Sequence, residues 1–227
     1  AAQPGETIIL PLSTYWHLTV PADKVISYDP AAANALLDSS GYTKGADGIR
    51  IDPKTNQPLH ITLPTSDDVN GSTDVGQLVR GYLKQIGITV DVKPTTAAKM
   101  YDLQQSGGFD AYIWYWSGDP DPNYMLSVFT SDMCKNLSDG CFKDPAYDAI
   151  FQRQNTTLDP AQRLPIVQEA QQYLYDHIPG IVLAYPNAIE AYRTDRVTGF
   201  TPAPEKDGYL LPSYNYTSMV TAHPVEA

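Results

Sequence analysis

The spacing of apolar residues along the chain predicts several helices. Between residues 72 and 86, apolar side chains recur every three or four positions and the pattern stops at Gly87, which is typical of an amphipathic helix. Asp29 and Asp159 each precede a proline. This pair of residues predicts the start of a helix, in which the carboxylate caps the first turn and the proline is the first helical residue. Shorter helices are predicted for residues 95–105, 124–131 and 145–154.

Other segments have the patterns of strands. Residues 49–63 alternate between apolar and polar around a polar loop, which favours a hairpin, and residues 88–93 alternate as a single strand. Residues 109–116 are aromatic and β-branched enough for a buried strand. Residues 181–185 predict a second buried strand and residues 188–193 another. Helices that alternate with strands in this way indicate a mixed α/β lobe.

Composition narrows the classes of partner. The chain has 227 residues, 42% of them hydrophobic and 18% charged, which is typical of a folded protein. Its formal net charge of −11 argues against binding to nucleic acid, which needs clustered Lys and Arg. The same charge argues against attraction to an anionic membrane surface. We therefore expect neither nucleic acid nor membrane lipid as a partner.

A turn after the predicted aromatic strand is the strongest candidate for a binding site. The residues that follow Trp116 read Ser-Gly-Asp-Pro-Asp-Pro, in which proline stops strand pairing and Gly118 permits a tight turn. Asp119 is thus predicted just past the strand end, beside the Trp116 indole, where open α/β sheets bind ligands. Such a carboxylate can accept hydrogen bonds from a ligand amine or hydroxyl. The alternative is a polar turn that caps an ordinary core strand.

The two cysteines are close in sequence. Cys134 and Cys141 flank a short polar loop, so a local disulfide is the simplest interpretation. Two free thiols or half of a metal site are the alternatives, and no His lies nearby to favour the metal. A disulfide would indicate an oxidising compartment.

Five segments of the chain carry motifs that occur together, in this order, in one known family. They are Tyr28-Asp29-Pro30 with the helix to Gly41-Tyr42, residues 79–92, Phe109-Asp110-Ala111 through Trp116 to Asp119-Pro120-Asp121-Pro122, residues 159–179, and residues 197–200. Together they resemble the family 5 extracellular solute-binding proteins, the peptide- and oligopeptide-binding receptors of ABC importers. The resemblance implies the α/β fold of one lobe of a type II periplasmic binding protein, with a mixed sheet flanked by helices.

The resemblance also implies how the chain is organised. It covers the second ligand-binding lobe of the family, here residues 1–192, and a C-terminal return segment, here residues 193–227, which in the family packs on the first lobe. The first lobe is not matched, so we expect this chain to be a fragment of a receptor. Disulfides occur in the corresponding loop of some dipeptide-binding relatives, which supports the pairing of Cys134 with Cys141.

The implied function is capture of a solute without enzymatic activity. Two lobes close over the ligand, and the closed form is recognised by the membrane subunits of an ABC transporter. In peptide-binding members the acid that matches Asp119 pairs with the ligand's α-ammonium and the aromatic residue that matches Trp116 lines the site. Tyr115, Ser117 and Gly118 complete the predicted site. We expect no cofactor and no metal, a monomer, and an extracytoplasmic location in the periplasm or at the cell surface.

Three further residues, Asp67, Asp68 and Tyr185, are weaker ligand-binding candidates. The segment that holds the two acids carries no base, whereas dipeptide-binding relatives have an arginine there for the ligand's carboxylate. Ile113 likewise stands where oligopeptide-binding relatives have a base. Longer or cationic peptides are therefore favoured, with oligosaccharides as the alternative ligand. For Trp114, packing in the core is the favoured interpretation.

Two other classes of function are considered. An enzyme would most plausibly use Asp119 and Asp121 as the carboxylate pair of a glycan hydrolase, since two acids on a stiff turn can approach the separation that retaining enzymes need. A domain that only contacts a partner protein would bind no small molecule. The resemblance favours the receptor over both.

Overall fold

The computed structural model describes residues 2–69, 71–136, 140–203, 208–211 and 215–225. The chain divides into two compact units: a central unit, Pro21–Thr157, and a terminal unit made of Ala1–Val20 and Leu158–Ala227. This division does not coincide with the boundary at residue 192 that the resemblance implies, and that boundary stays a prediction.

The elements are short and alternate between helix and strand. In chain order they are β1 (Ala2–Pro4), α1 (Pro30–Ser39), β2 (His60–Ser66), α2 (Ser72–Gln85), β3 (Thr89–Thr95), α3 (Ala97–Ser106), α4 (Asn123–Ser127), a 3-10 turn (Ser131–Met133), α5 (Pro145–Thr156), α6 (Pro160–His177), β4 (Ala184–Pro186), β5 (Val197–Thr198), α7 (Thr217–Thr221) and β6 (His223–Pro224). The predicted starts of α1 and α6 are confirmed, because the carboxylates of Asp29 and Asp159 accept hydrogen bonds from first-turn amides.

In the central unit, β2 and β3 form a parallel pair in register from His60↔Thr89 to Ser66↔Thr95. Helix α2 connects the two strands and packs closely on them. A Cβ added to Gly76 of α2 would lie 3.0 Å from side-chain atoms of both Thr65 and Val92, so a larger residue there would force these side chains to shift by a few tenths of an ångström. Leu63 of β2 and Val90 of β3 are buried and belong to the core of the unit.

The predicted buried strand at residues 109–116 is wrong. Only Ile113 pairs with β2, through a single parallel bridge to Thr65, and the segment is half-buried or exposed. One reason is that the Asp110 carboxylate accepts a hydrogen bond from the Thr62 amide at 2.8 Å, where a paired strand would offer a backbone carbonyl. The aromatic side chains of this segment contact other rings instead of filling a sheet face.

The predicted hairpin at residues 49–63 forms only in part. Antiparallel bridges join Lys44 to Arg50 and Ile51 to Pro58. At Leu59 the chain changes partner, because its amide donates to the Arg50 carbonyl at 2.6 Å while its own carbonyl accepts from Thr89 at 3.1 Å. From that point the residues enter β2 and pair in parallel with β3.

In the terminal unit, a buried glutamine joins the first residues of the chain to α6. The Gln171 side-chain oxygen accepts hydrogen bonds from the Thr7 hydroxyl and the Leu18 amide, both at 3.0 Å. Its amide nitrogen donates to the Trp16 carbonyl at 2.8 Å. Because every polar atom of this buried side chain is paired, the amide fixes the N-terminal segment against the helix.

The strands predicted at residues 181–185 and 188–193 are corrected by the structure. The strand that forms is β4, which pairs antiparallel with β1 and buries only Tyr185 among its three residues. Ile181 is 75% exposed and Ile189 is 86% exposed. Residues 188–193, all of them described, hold no strand, and the Tyr192 ring contacts Phe200 with ring centroids 4.5 Å apart.

Candidate functional site

The sheet edge explains why the candidate residues lie together. Strands β2 and β3 run parallel, and the bridge at Ile113 adds a third parallel element beside β2. All three therefore end at the same edge. The chain that leaves Ile113 continues through Trp114 to Asp119 at this edge, which is where ligands bind in open α/β sheets.

A concavity of about 270 Å³ lies at this place. We call it the aromatic concavity; its lining residues are Tyr101, Trp114, Tyr115, Trp116, Ser117, Asp119 and Tyr124. Four predicted site residues are thus brought together: Tyr115, Trp116, Ser117 and Asp119. Gly118 lies in the same exposed segment, which forms no tight turn, and it does not line the concavity.

Ring contacts hold the aromatic lining in place. Tyr101 of α3 meets Trp114 edge-on, with ring centroids 5.4 Å apart, and Trp116 meets Tyr124 of α4 edge-on at 5.7 Å. Trp114 and Tyr115 are tilted against each other at 5.9 Å. In edge-on pairs one ring presents its rim and the other its face, so part of the ring surface stays available to a ligand.

The Asp119 carboxylate is exposed in the central unit and accessible to a ligand. In the part of the chain that the structure describes, no residue donates a hydrogen bond to it. Asp121 differs, since its carboxylate accepts from the Asn123 amide at 2.8 Å and so helps to start α4. Asp121 thus has a structural contact at the start of α4, and of these two acids only Asp119 lines the concavity.

Three lining residues were not predicted as site residues. Trp114, interpreted from the sequence as core, is half-buried and lines the concavity. Its spacing of two from Trp116 was the available signal, because side chains two apart share one face of an extended chain. Tyr101 and Tyr124 come from helices on either side in the sequence, and no local pattern links them to Asp119.

The weaker candidates lie outside the lining. Asp67 and Asp68 follow β2 at the same sheet edge, and the Asp68 carboxylate accepts a hydrogen bond from the Ala97 amide at 3.2 Å, at the start of α3. Tyr185 belongs to the terminal unit, where its buried hydroxyl accepts from the Glu6 amide at 3.1 Å and donates to the Thr7 carbonyl. Burial raises the pKa of Tyr185. With both roles of its hydroxyl taken, Tyr185 has no free group to offer a ligand.

The predicted disulfide is confirmed. Cys134 and Cys141 are bonded, with their Cα atoms 4.4 Å apart. The free-thiol and half-metal-site alternatives are thereby excluded for these two residues. Among the described residues, no group of three or more His, Cys, Asp or Glu side chains is arranged to hold a metal ion.

Comparison with known proteins identifies the family. Residues 1–136, more than half of the chain, match the family described as bacterial extracellular solute-binding proteins, family 5 Middle. The chain belongs to this family, as the sequence motifs predicted.

Two curated relatives that the chain matches are named as binding proteins. Di/tripeptide-binding protein 2 of Pseudomonas aeruginosa is 28% identical over 184 residues, which are 78% of this chain and 32% of the relative. The nickel-binding periplasmic protein of Escherichia coli is 26% identical over 186 residues, covering 81% of this chain and 35% of the relative. The chain thus spans about a third of the length of these relatives.

Solved structures show the same fold. A periplasmic oligopeptide-binding protein of Thermotoga maritima superposes with a TM-score of 0.81 at 22% identity, over 99% of this chain and 45% of that one. A mannohexaose-bound structure of an oligopeptide-binding protein of T. maritima gives 0.79 at 20% identity, over 98% and 45%. DppA of Helicobacter pylori, in complex with the peptide STSA, gives 0.73 at 18%, over 98% and 39%. The predicted periplasmic-binding-protein-like α/β fold is confirmed.

Where the protein resides is indicated at the level of the family. The family is described as extracellular, and several relatives are named periplasmic. Within the described ranges, the helices are too short or too polar to cross a bilayer.

Proposed function

We propose that this chain supplies the ligand-contacting lobe of an extracytoplasmic receptor of an ABC importer, which captures peptides by their free amine. No bond is made or broken in this process. The observation that carries the proposal is the Asp119 carboxylate, which is exposed, accepts no hydrogen bond from a described residue, and lines a concavity with five aromatic rings.

The chemistry of that lining suits an ammonium group. A carboxylate accepts charge-assisted hydrogen bonds from an amine, and the faces of Trp and Tyr rings attract a cation within about 6 Å of the ring centroid. When a second lobe covers the site, water is excluded and the pair becomes desolvated. Removing one partner of such a buried pair costs about 3–5 kcal/mol, because the remaining charge is left without a counter-charge.

The absence of a base in the lining favours particular peptides. None of the seven lining residues is Lys, Arg or His. A dipeptide held at both ends would need a cation for its carboxylate, whereas a longer peptide can place that carboxylate elsewhere. A peptide with basic side chains would also gain from the net charge of −11 of this chain. We therefore favour oligopeptides or cationic peptides.

Partner and location follow from the same proposal. The closed receptor would deliver its ligand to the membrane subunits of an ABC transporter and act as a monomer. The bond between Cys134 and Cys141 supports an oxidising location outside the cytoplasm.

An oligosaccharide is the second candidate ligand. The five rings of the aromatic concavity offer faces on which sugar rings stack, and Ser117 and Asp119 offer polar atoms to sugar hydroxyls. The oligopeptide-binding protein of T. maritima, which has a similar fold, was solved with mannohexaose bound. That structure supports an oligosaccharide ligand at the level of the fold. A sugar carries no cation, so its binding would depend much less on the charge of Asp119.

Calorimetry on the intact protein tests the proposal. Tetrapeptides with a free amine, mannohexaose and a nickel–histidine chelate are titrated into the wild type and into Asp119→Asn. We expect peptide binding that weakens about 100-fold or more in Asp119→Asn. Asp102→Asn is the matched control, since Asp102 is an exposed acid on α3 that lies outside the lining. Peptide binding that is equal in both variants, or binding of the sugar alone, would refute the proposal.

A further inference from the structure

We propose that Tyr101 determines which side chain the bound peptide carries next to its ammonium group, and that it selects an apolar or aromatic one. This inference rests on the proposed function. It goes further because Tyr101 lies on α3, outside the segment that carries Trp116 and Asp119.

The position of the Tyr101 ring supports the assignment. The ring is 41% exposed, lines the aromatic concavity, and stands edge-on to Trp114 at an angle of 72°. Trp114 in turn contacts Tyr115, which is 56% exposed. These three rings form a continuous apolar wall beside the acid. An alkyl or aromatic side chain that projects from a ligand anchored at Asp119 can pack against this wall.

Tyr101 is held in place by the anchoring of α3. On the buried face of the helix, Met100 is fully buried and Gln104 is 4% exposed. The first turn is capped by Thr96, whose hydroxyl accepts from the Lys99 amide at 3.3 Å, and by the Asp68 carboxylate on the Ala97 amide. A helix fixed at its start and along one face presents its remaining side chains in a defined place, which is what selectivity requires.

The charges of the lining give the direction of selectivity. Among the described residues that line the concavity, Asp119 is the single charged one. An acidic side chain next to the ligand's ammonium would meet this carboxylate, and like charges repel. A glycine would leave the wall of Tyr101, Trp114 and Tyr115 in contact with water. Aromatic and large aliphatic side chains gain both packing and ring contacts, so they are expected to bind most tightly.

Calorimetry with a peptide series tests the inference on the intact protein. Free-amine tetrapeptides that differ only in the first residue (Gly, Leu, Phe or Glu) are titrated into the wild type, Tyr101→Ala and Tyr101→Phe. We expect the wild type to bind the Phe peptide at least 10-fold more tightly than the Gly peptide. Tyr101→Ala should reduce this ratio about 5- to 10-fold, and Tyr101→Phe should preserve it, because the ring and not the hydroxyl forms the wall.

The outcomes separate this inference from the proposed function. If the peptides bind in an Asp119-dependent way but the Phe-to-Gly ratio is the same in Tyr101→Ala, the role of Tyr101 is refuted while the receptor proposal stands. If no peptide binds the wild type, both are refuted. A uniform loss for all four peptides would show that Tyr101 only supports the fold, and would also overturn the inference. Tyr101→Leu keeps an apolar side chain on α3, so it replaces the alanine variant should the latter unfold.

Discussion

A fully buried arginine joins three parts of the central unit, and its removal should be costly. The Arg50 side chain is 0% exposed. Its Nε donates to the Ile86 carbonyl at 2.7 Å, at the end of α2. Its two terminal nitrogens donate to Asp38 at 2.6 Å and Asn34 at 2.7 Å, both on α1, and to the Tyr42 carbonyl. One planar guanidinium thus pairs with two helices and the chain that follows the first.

The contacts give the size of the effect. In Arg50→Met the carbonyls of half-buried Ile86 and Tyr42 lose their side-chain donor, and an acceptor that is shielded from water and left unpaired costs about 1–3 kcal/mol. Asp38 is 64% exposed and can regain water, so its lost ion pair adds about 1 kcal/mol at most. From these contacts together we expect a loss of about 3–5 kcal/mol. Arg50→Lys keeps the charge but not the fork, so it should lose about 2–3 kcal/mol.

Urea unfolding of the intact protein, followed by circular dichroism, measures the effect. The variants can be compared if the free energy of unfolding depends on urea concentration with the same slope in each. Arg196→Met is the matched control, since the Arg196 side chain is 74% exposed and its nearest acid, Asp195, lies 3.9 Å away. The control should change the free energy of unfolding by about 0.5 kcal/mol or less. An Arg50→Met variant as stable as Arg196→Met would refute the reasoning.

Three further predictions concern the stability of the intact protein. Neither polar atom of buried Gln104 has a partner among the described residues, so Gln104→Met should raise thermal stability by about 1 kcal/mol; a destabilised variant would contradict this. Burial raises the pKa of the Tyr147 hydroxyl in the folded protein. Above about pH 10 the unfolded chain therefore loses the hydroxyl proton while the folded protein keeps it, and the free energy of unfolding falls by up to about 1.4 kcal/mol per pH unit. Tyr147→Phe should flatten that slope, and an unchanged alkaline titration would count against the assignment. Cys134→Ser with Cys141→Ser should lower stability by about 2.5 kcal/mol on the loop-closure estimate, and reductant should affect only the wild type.

The sequence predicted best where neighbouring residues determine the structure. Asp29-Pro30 and Asp159-Pro160 define helix starts because the capping carboxylate and the proline act within a single turn. Residues 117–122 were predicted to lie outside any strand for the same reason, since glycine and proline restrict the backbone locally. Tyr115, Trp116, Ser117 and Asp119 are near neighbours in the sequence, so their grouping could be predicted, but the tight turn expected at Gly118 does not form.

What the sequence did not reveal depends on partners far along the chain. Residues 109–116 have the composition of a buried strand, yet aromatic side chains suit a binding surface equally well, and a single carboxylate, Asp110, takes the place of strand pairing. Arg50 and Gln171 look like surface residues in sequence, and only the folded chain supplies the acceptors and donors that bury them. Tyr101 is separated from Asp119 by a strand-like segment, so no local periodicity connects them.

Asp119 is proposed to bind the ammonium group of a peptide ligand. The most direct test is a double-mutant cycle by calorimetry, in which one tetrapeptide, with a free or an acetylated amine, is titrated into the intact wild type and into Asp119→Asn. We predict a coupling energy of about 2 kcal/mol or more, so that acetylation weakens binding at least about 30-fold in the wild type beyond its effect in the variant. A coupling energy near zero, with acetylation equally costly in both proteins, would contradict the claim.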